Sequence, residues 1–114
     1  MPLLSITTNR PLKSEAAGSI LRAASDRVAK LLGKPESYVM VKLAHNPHML
    51  FAGNDAPLTY IELKSIGLPV TQTPVLSTAL TELLHEHQGI EPARIYIEFS
   101  DALPQMWGWN GATF

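Results

Sequence analysis

The segment 73–89, TPVLSTALTELLHEHQG, decides the fold because it is the clearest helix in the sequence. A threonine hydroxyl followed by proline at the first helical position is typical of a helix start, so we expect Thr73 to cap it. Gly89 ends the pattern as a C-terminal glycine. Between these ends an apolar stripe recurs at helical spacing, formed by Val75, Leu76, Ala79, Leu80, Leu83 and Leu84. The segment therefore predicts an amphipathic helix with one face against a core.

Strands are predicted on both sides of this helix. The run 58–64 precedes it, and 94–99 follows it. In the second run Ile95, Ile97 and Phe99 alternate with polar residues, which is typical of a half-buried strand. The second half of the chain is therefore predicted to be a β-α-β unit.

The first half repeats this order. A strand over 3–8, a helix from the expected cap Ser14 to Gly33, and an alternating strand over 38–43 follow one another. Leu3 and Leu58 lie 55 residues apart, and Val39 and Ile95 lie 56 apart. Six residues separate the glycine from the strand in both halves. We infer a tandem duplication.

The duplication predicts an α+β fold in a single domain, residues 1–114. Right-handed crossovers place both helices on one face of a four-stranded mixed sheet. A short extended piece over 49–52 and a turn-rich tail ending in 107–111 add further short elements. The other face of the sheet needs a cover, and other subunits would supply it.

Composition excludes several classes of function. A net charge of -1 gives no footprint for nucleic acid, and the absence of cysteine excludes thiol chemistry and Cys-ligated zinc. No apolar run is long enough to span a membrane and no signal peptide is recognisable, so a cytoplasmic location is expected. The four histidines, His45, His48, His85 and His87, do not have ligand spacing, so neither a metal nor a cofactor is expected.

Pro2 is the first candidate for chemistry. If the initiator methionine is removed, Pro2 carries a free secondary amine, which can act as a base or a nucleophile. Apolar burial and a neighbouring cation would both lower the pKa of that amine, so that it is poised near neutral pH. Proline in second position is also common without function.

Five short motifs occur in a fixed order along the whole chain: Met1-Pro2, Thr8-Asn9, Gly33-Lys34-Pro35, Ser65-Ile66-Gly67 and Gly108-Trp109-Asn110. In this order and spacing the chain resembles the macrophage migration inhibitory factor family of the tautomerase superfamily, as a bacterial-type homologue. The resemblance implies a homotrimer with active sites at subunit boundaries. It also implies a cofactor-independent keto-enol tautomerase that acts on phenylpyruvate-like acids, with Pro2 as the base.

The same resemblance assigns the substrate-binding residues. Lys34 and the backbone N–H of Ile66 would meet the substrate carboxylate, and the Lys34 charge would also stabilise the enolate. Without the resemblance, Lys34 is read as a lysine that complements a helix C-terminus. The predicted walls of the pocket are aromatic: Tyr38, Trp109, Phe114 and, from the adjacent subunit, Tyr96.

Departures from the mammalian members bear on specificity. Glu98 stands in place of an asparagine that reaches a para-hydroxyl group, so the charge of the pocket changes. Trp107 replaces a smaller aliphatic residue at the mouth. Leu58 and Ile61 replace the thiol pair of those members, so the associated oxidoreductase activity is not expected.

Two alternatives stay open. A hydratase or dehalogenase of unsaturated acids would use the same proline with a glutamate and paired arginines, for which Glu98 and Arg94 are the candidates. A cytokine-like ligand for a cell-surface receptor, with leaderless secretion, is the third reading, and the sequence neither supports nor excludes it.

Overall fold

The computed structural model describes residues 1–114, and its elements follow the predicted order. The helices are α1 (Ser14–Leu32) and α2 (Thr73–Gln88), and each ends at a glycine in the left-handed conformation. The strands of the sheet are β1 (Leu3–Thr8), β2 (Met40–His45), β3 (Thr59–Ile66) and β4 (Ile95–Ala102). A hairpin of β5 (Gly108–Trp109) and β6 (Ala112–Thr113) closes the chain.

The sheet has the strand order β2-β1-β3-β4. β1 pairs parallel with β2, β3 pairs parallel with β4, and the two central strands are antiparallel. This confirms the predicted mixed sheet of two β-α-β units. The predicted offset between the first strands was two residues short: Leu3 pairs with Met40 as Tyr60 pairs with Tyr96, which gives offsets of 57 and 56 residues.

Both helices cover one face of the sheet, as predicted. Alternate residues of the central strands are buried there, among them Leu4, Ile6, Ile61 and Leu63, together with the apolar stripes of α1 and α2. Arg27 of α1 bridges to Glu86 of α2 at 3.0 Å. The opposite face carries no helix, and its residues are largely polar: Ser5, Thr7, Lys42, Tyr60, Glu62, Lys64, Glu98 and Ser100.

The predicted helix caps were wrong. Lys13 and Gln72 occupy the N-cap positions, and neither Ser14 nor Thr73 accepts a hydrogen bond from the first turn of its helix. The Thr73 hydroxyl instead donates to the carbonyl of Val70 at 2.9 Å, because a short 3-10 turn presents that carbonyl to it.

Two strand boundaries also differ from prediction. Tyr38 lies in the 3-10 turn Glu36–Tyr38 and not in β2, because β2 has a partner only from Met40, opposite Leu3. The piece 49–52 is not a strand. Phe51 forms an isolated bridge with Asn54, across a turn in which Ala52 and Gly53 both have positive φ.

Candidate active site

A pocket of about 360 Å³ lies where β1 begins. Three parts of the chain form it: the first three residues, the link from α1 to β2, and the C-terminal hairpin. Eight of its eleven lining residues are hydrophobic: Met1, Pro2, Leu3, Tyr38, Val39, Met40, Trp107 and Trp109 are among the residues that line it, with Ser37, Gly108 and Phe114. This size and lining suit a small organic ligand.

Pro2 is buried at the base of this pocket. Its carbonyl accepts a hydrogen bond from the backbone N–H of Met40 at 3.0 Å, which ties the start of the chain to β2. The terminal amine borders the same space. Partial burial first, and then the hydrogen bond and charge of Lys34, lower the pKa of the Met1 amine to about 6. The environment at the start of β1 therefore favours an unprotonated amine.

Lys34 is directed by the end of α1. Gly33 takes a left-handed conformation with φ of 62°, and the Lys34 backbone N–H returns to the carbonyl of Ala29 at 3.0 Å. The side chain then reaches across to β3, where its Nζ donates to the carbonyl oxygen of Ile66. Lys34 forms no ion pair within the chain. Its positive charge is therefore not neutralised by a carboxylate and can meet an anionic ligand.

Ile66 is the last residue of β3, next to the buried Ser65. A side chain of β4 holds the turn that follows it, since Asp101 Oδ1 accepts a hydrogen bond from the backbone N–H of Leu68 at 3.1 Å. Lys34 and Ile66 are 32 residues apart in the sequence and are brought into contact by the antiparallel central strands.

Aromatic side chains form one wall of the pocket. The ring of Tyr38 meets Trp109 edge-on at 5.4 Å and Phe114 at 6.2 Å, and the Trp109 and Phe114 rings stack at 5.6 Å. Phe114 is held in place because its backbone N–H donates to the carbonyl of Trp107 at 3.2 Å. The structure thus gathers these four predicted residues around Pro2, and flat rings of this kind suit an aromatic ligand.

Tyr96 and Glu98 do not join this pocket within one chain. They lie on β4, at the opposite edge of the sheet from β2. Tyr96 is 65% exposed, and its ring contacts Phe51 at 4.6 Å. Glu98 is exposed and accepts a hydrogen bond from the hydroxyl of Tyr60 at 3.1 Å. The sequence gave no reason to single out Tyr60, because only the pairing of β3 with β4 brings it to Glu98.

Arg94 is engaged elsewhere, contrary to its use in the hydratase alternative. Its guanidinium donates to four backbone carbonyls, at 3.0 to 3.2 Å, and lies over the Phe51 ring at 5.2 Å. The four acceptors belong to the loop before β3: Phe51, Asn54, Ala56 and Pro57. Arg94 therefore holds this loop and is not free to bind a substrate.

A second pocket, of about 330 Å³, lies at the equivalent place in the second half. Leu58, Thr59 and Tyr60 occupy the positions that Met1, Pro2 and Leu3 take in the first, each 57 residues later, and Tyr96 takes the place of Met40. Residues 49–52 replace the C-terminal hairpin as its outer wall. No lysine lines this second pocket.

His85 contacts the end of its own helix, with Nδ1 at 3.0 Å from the carbonyl oxygen of Ile90. No three histidine, aspartate or glutamate side chains are close enough together to hold a metal ion. Neither helix combines the length and the apolar character needed to cross a bilayer.

A duplicated β-α-β sheet with both helices on one face, and a pocket where its first strand begins, define the tautomerase superfamily fold. The sequence model of the macrophage migration inhibitory factor (MIF) family matches residues 1–114, so the chain belongs to that family.

Similar proteins cover the chain from end to end. The macrophage migration inhibitory factor homolog of Brugia malayi is 38% identical over 118 residues, which span 100% of this chain and 99% of the relative. The mouse macrophage migration inhibitory factor is 34% identical over 115 residues, with the same coverage.

Solved structures agree with this assignment. The macrophage migration inhibitory factor homologue of Prochlorococcus marinus superposes with a TM-score of 0.93 at 42% identity, covering 98% of each chain. The macrophage migration inhibitory factor of Toxoplasma gondii gives 0.94 at 30% identity, covering 98% of this chain and 99% of the other. The bacterial homologue accords with the bacterial-type resemblance of the sequence.

Proposed function

We propose that the protein is a cofactor-independent tautomerase that interconverts the keto and enol forms of phenylpyruvate and similar arylpyruvates. The observation that carries the proposal is the gathering of Pro2, the unpaired charge of Lys34 and an aromatic wall around one pocket. An arylpyruvate has a carboxylate, a polarisable carbonyl and an aromatic ring, so each of these three features has a matching group.

Pro2 is the proposed base, acting through the secondary amine that removal of Met1 exposes. The amine takes a proton from the carbon beside the ketone, negative charge develops on the ketone oxygen, and that oxygen is then protonated to give the enol. A base works best when its pKa lies near the working pH, and burial together with Lys34 lowers the pKa of an amine at this place to about 6.

Lys34 is the proposed carboxylate anchor, and it also stabilises the developing enolate. Its Nζ already donates to the carbonyl of Ile66, so a bound carboxylate would compete for a cation that is held at the pocket edge. We propose that the backbone N–H of Ile66 provides the second donor. Because these donors are in place before the reaction, little reorganisation accompanies the development of charge.

We further propose that the protein assembles as a homotrimer, in which Tyr96 and Glu98 of an adjacent copy complete the pocket. The helix-free sheet face and several exposed apolar side chains support this, including Met40, Leu50, Tyr96 and Trp109, each more than half exposed. Light scattering coupled to size exclusion tests the assembly. It should give three times the 12.5 kDa of the chain, and a monomer mass would overturn the proposal.

The test of the activity is phenylpyruvate turnover by tagless protein, with its intact mass measured in the same sample. Pro2→Gly keeps a terminal amine but makes it primary and mobile, so turnover should fall by about 100-fold or more, in line with the loss of a positioned base. Equal turnover by wild type and variant would show that Pro2 is not the base.

The other two readings are weaker. The hydratase reading lacks its arginine, since Arg94 is engaged with four carbonyls. A halogenated acrylate assayed beside phenylpyruvate would detect that activity. Receptor binding, for which relatives carry the name of a migration inhibitory factor, would be tested by direct binding measurements with Pro2→Gly. A cytoplasmic location stays a prediction.

A further inference from the structure

Tyr60 and Glu98 form a hydrogen-bonded pair on the helix-free face of the sheet. The pair is made across the parallel strands β3 and β4, where Tyr60 lies beside Tyr96 and Glu62 lies beside Glu98. The Tyr60 hydroxyl reaches diagonally to Glu98 Oε2 at 3.1 Å. The other oxygen of that carboxylate, Oε1, accepts no hydrogen bond within the chain.

The hydroxyl is needed because two carboxylates stand side by side. Glu62 and Glu98 occupy directly paired positions, and like charges in that arrangement repel. Lys64, at 3.7 Å from Glu62, draws one of them away. Tyr60 offers the donor to the other, so Glu98 keeps a fixed orientation instead of turning towards water.

Tyr60 stays a donor over the whole physiological pH range. Desolvation and hydrogen bonds to Glu98 and Glu62 raise the pKa of its phenol to about 12. A phenol that stays protonated can donate to a carboxylate without competing for a proton.

The neighbouring ring is fixed as well. Arg94 ties down the loop that carries Phe51, and the Phe51 ring contacts Tyr96 at 4.6 Å. Tyr96 and Glu98 are therefore both oriented before any ligand arrives, one by packing and one by a hydrogen bond.

We propose that Tyr60 is a positioning residue for substrate choice, holding Glu98 so that its free oxygen accepts a hydrogen bond from a hydroxyl group on the ring of an arylpyruvate. The inference rests on the proposed tautomerase and on Glu98 meeting the pocket of an adjacent copy. It selects substrates whose ring carries a donor, and it gives no advantage to substrates whose ring carries only an acceptor.

Three substrates separate these cases: phenylpyruvate, 4-hydroxyphenylpyruvate and 4-methoxyphenylpyruvate, of which only the second can donate. In the wild type we expect the lowest KM for the hydroxy compound. Tyr60→Phe removes one oxygen and should raise that KM by about fivefold, the effect of one lost hydrogen bond, while kcat and the other two KM values stay within about twofold.

A double-mutant cycle tells positioning from a general structural effect. Glu98→Gln should also raise KM for the hydroxy compound, and Tyr60→Phe added to it should bring little further loss, because the two side chains act through one contact. Glu82→Gln, an equal loss of charge on the exposed side of α2, is the matched control and should change none of the values.

The outcomes distinguish the two proposals. If the wild type turns over phenylpyruvate but Tyr60→Phe leaves the ratio of the hydroxy and methoxy KM values unchanged, the role of Tyr60 is wrong and the tautomerase stands. Additive losses in the cycle would also overturn it. If the wild type turns over none of the three compounds, the proposed function and the inference fail together.

Discussion

The two halves of the molecule share one fold and differ in chemistry. Each is a β-α-β unit whose helix ends at a left-handed glycine, and each has a pocket of similar size where its first strand begins. In the first half that strand starts two residues from the end of the chain, with Pro2. In the second half the equivalent position is Thr59, which is 1% exposed and lies in the middle of the chain.

The residues after each helix differ in the same sense. Lys34 corresponds to Ile90, which is fully buried in the core, and Tyr38 corresponds to Arg94, which holds a loop. The comparison teaches that the fold alone does not make the site. A strand that begins at a chain terminus and a cation left without a carboxylate turn one of two similar pockets into a candidate active site.

Ile90→Ala should have the largest effect among the equivalent positions, and on stability alone. Ile90 is 0% exposed and belongs to the core cluster, so the substitution leaves a cavity and should cost about 3 kcal/mol of unfolding free energy. Urea unfolding at fixed protein concentration measures this, with Ile90→Val as the milder control. Catalytic turnover per folded molecule should not change. A loss of turnover that exceeds the loss of folded protein would show that the halves are not separated in this way.

Lys34→Ala should have the opposite profile. Loss of a charged donor to the substrate carboxylate should lower kcat/KM for phenylpyruvate by about 100-fold, equivalent to about 2.7 kcal/mol, with a small change in stability. Steady-state kinetics checks this. Unchanged kcat/KM would contradict the assignment of Lys34 as the anchor.

The pH profile of Lys34→Ala adds a second test. The amine is active when unprotonated, so wild-type activity should be present above pH about 6 and fall as the pH drops through that value. Two of the three causes of the lowered pKa involve Lys34, so removing it should move the acid limb upward towards the ordinary value of 8.0. Burial remains, and the shift should stop short of that value. A limb that does not move would separate Lys34 from the amine.

Arg94→Ala should cost about 2 kcal/mol of unfolding free energy, because four carbonyls of the loop lose a charged donor that is partly exposed. Arg10→Ala is the matched control: Arg10 donates to one carbonyl of the same loop, at 3.4 Å and exposed, and its loss should be close to neutral. Equal losses of stability in the two variants would mean that the network around Arg94 does not hold the loop.

The sequence predicts well what depends on local pattern. Alternation in β1 and the stripes that end at Gly33 and Gly89 specify both the elements and the faces they bury, and the structure confirms them. The start of β2 could not be found in this way, because it depends on where Leu3 stands in the partner strand. Thr73 has the right residue type for a cap, and a preceding turn offers its hydroxyl another acceptor.

The candidate site divides along the same line. Short motifs carry Pro2, Lys34 and Ile66, and the structure brings the last two into contact. The pairing of Tyr60 with Glu98 depends on the register of two strands that are joined through a helix, and no spacing in the sequence reveals it. The role of Arg94 was hidden for a similar reason, since its acceptors are backbone groups of an irregular loop.

Lys30→Ala should have the smallest effect. Lys30 lies one turn before Lys34 on the same helix and pairs with Asp26 at 2.9 Å in an exposed i, i+4 bridge. Its loss should cost about 0.4 kcal/mol and leave kcat/KM unchanged, which makes it the lysine control for Lys34→Ala. A comparable loss of kcat/KM in both variants would reduce the role of Lys34 to a general effect of positive charge.

The most direct measurement compares two forms of the same chain whose intact masses differ by one methionine. The form that begins with Pro2 has a free secondary amine in the pocket, and the form that retains Met1 has an amide nitrogen there. Phenylpyruvate tautomerisation should proceed with the first form and fall close to the uncatalysed rate with the second. Equal rates for the two forms would contradict the assignment of Pro2 as the base.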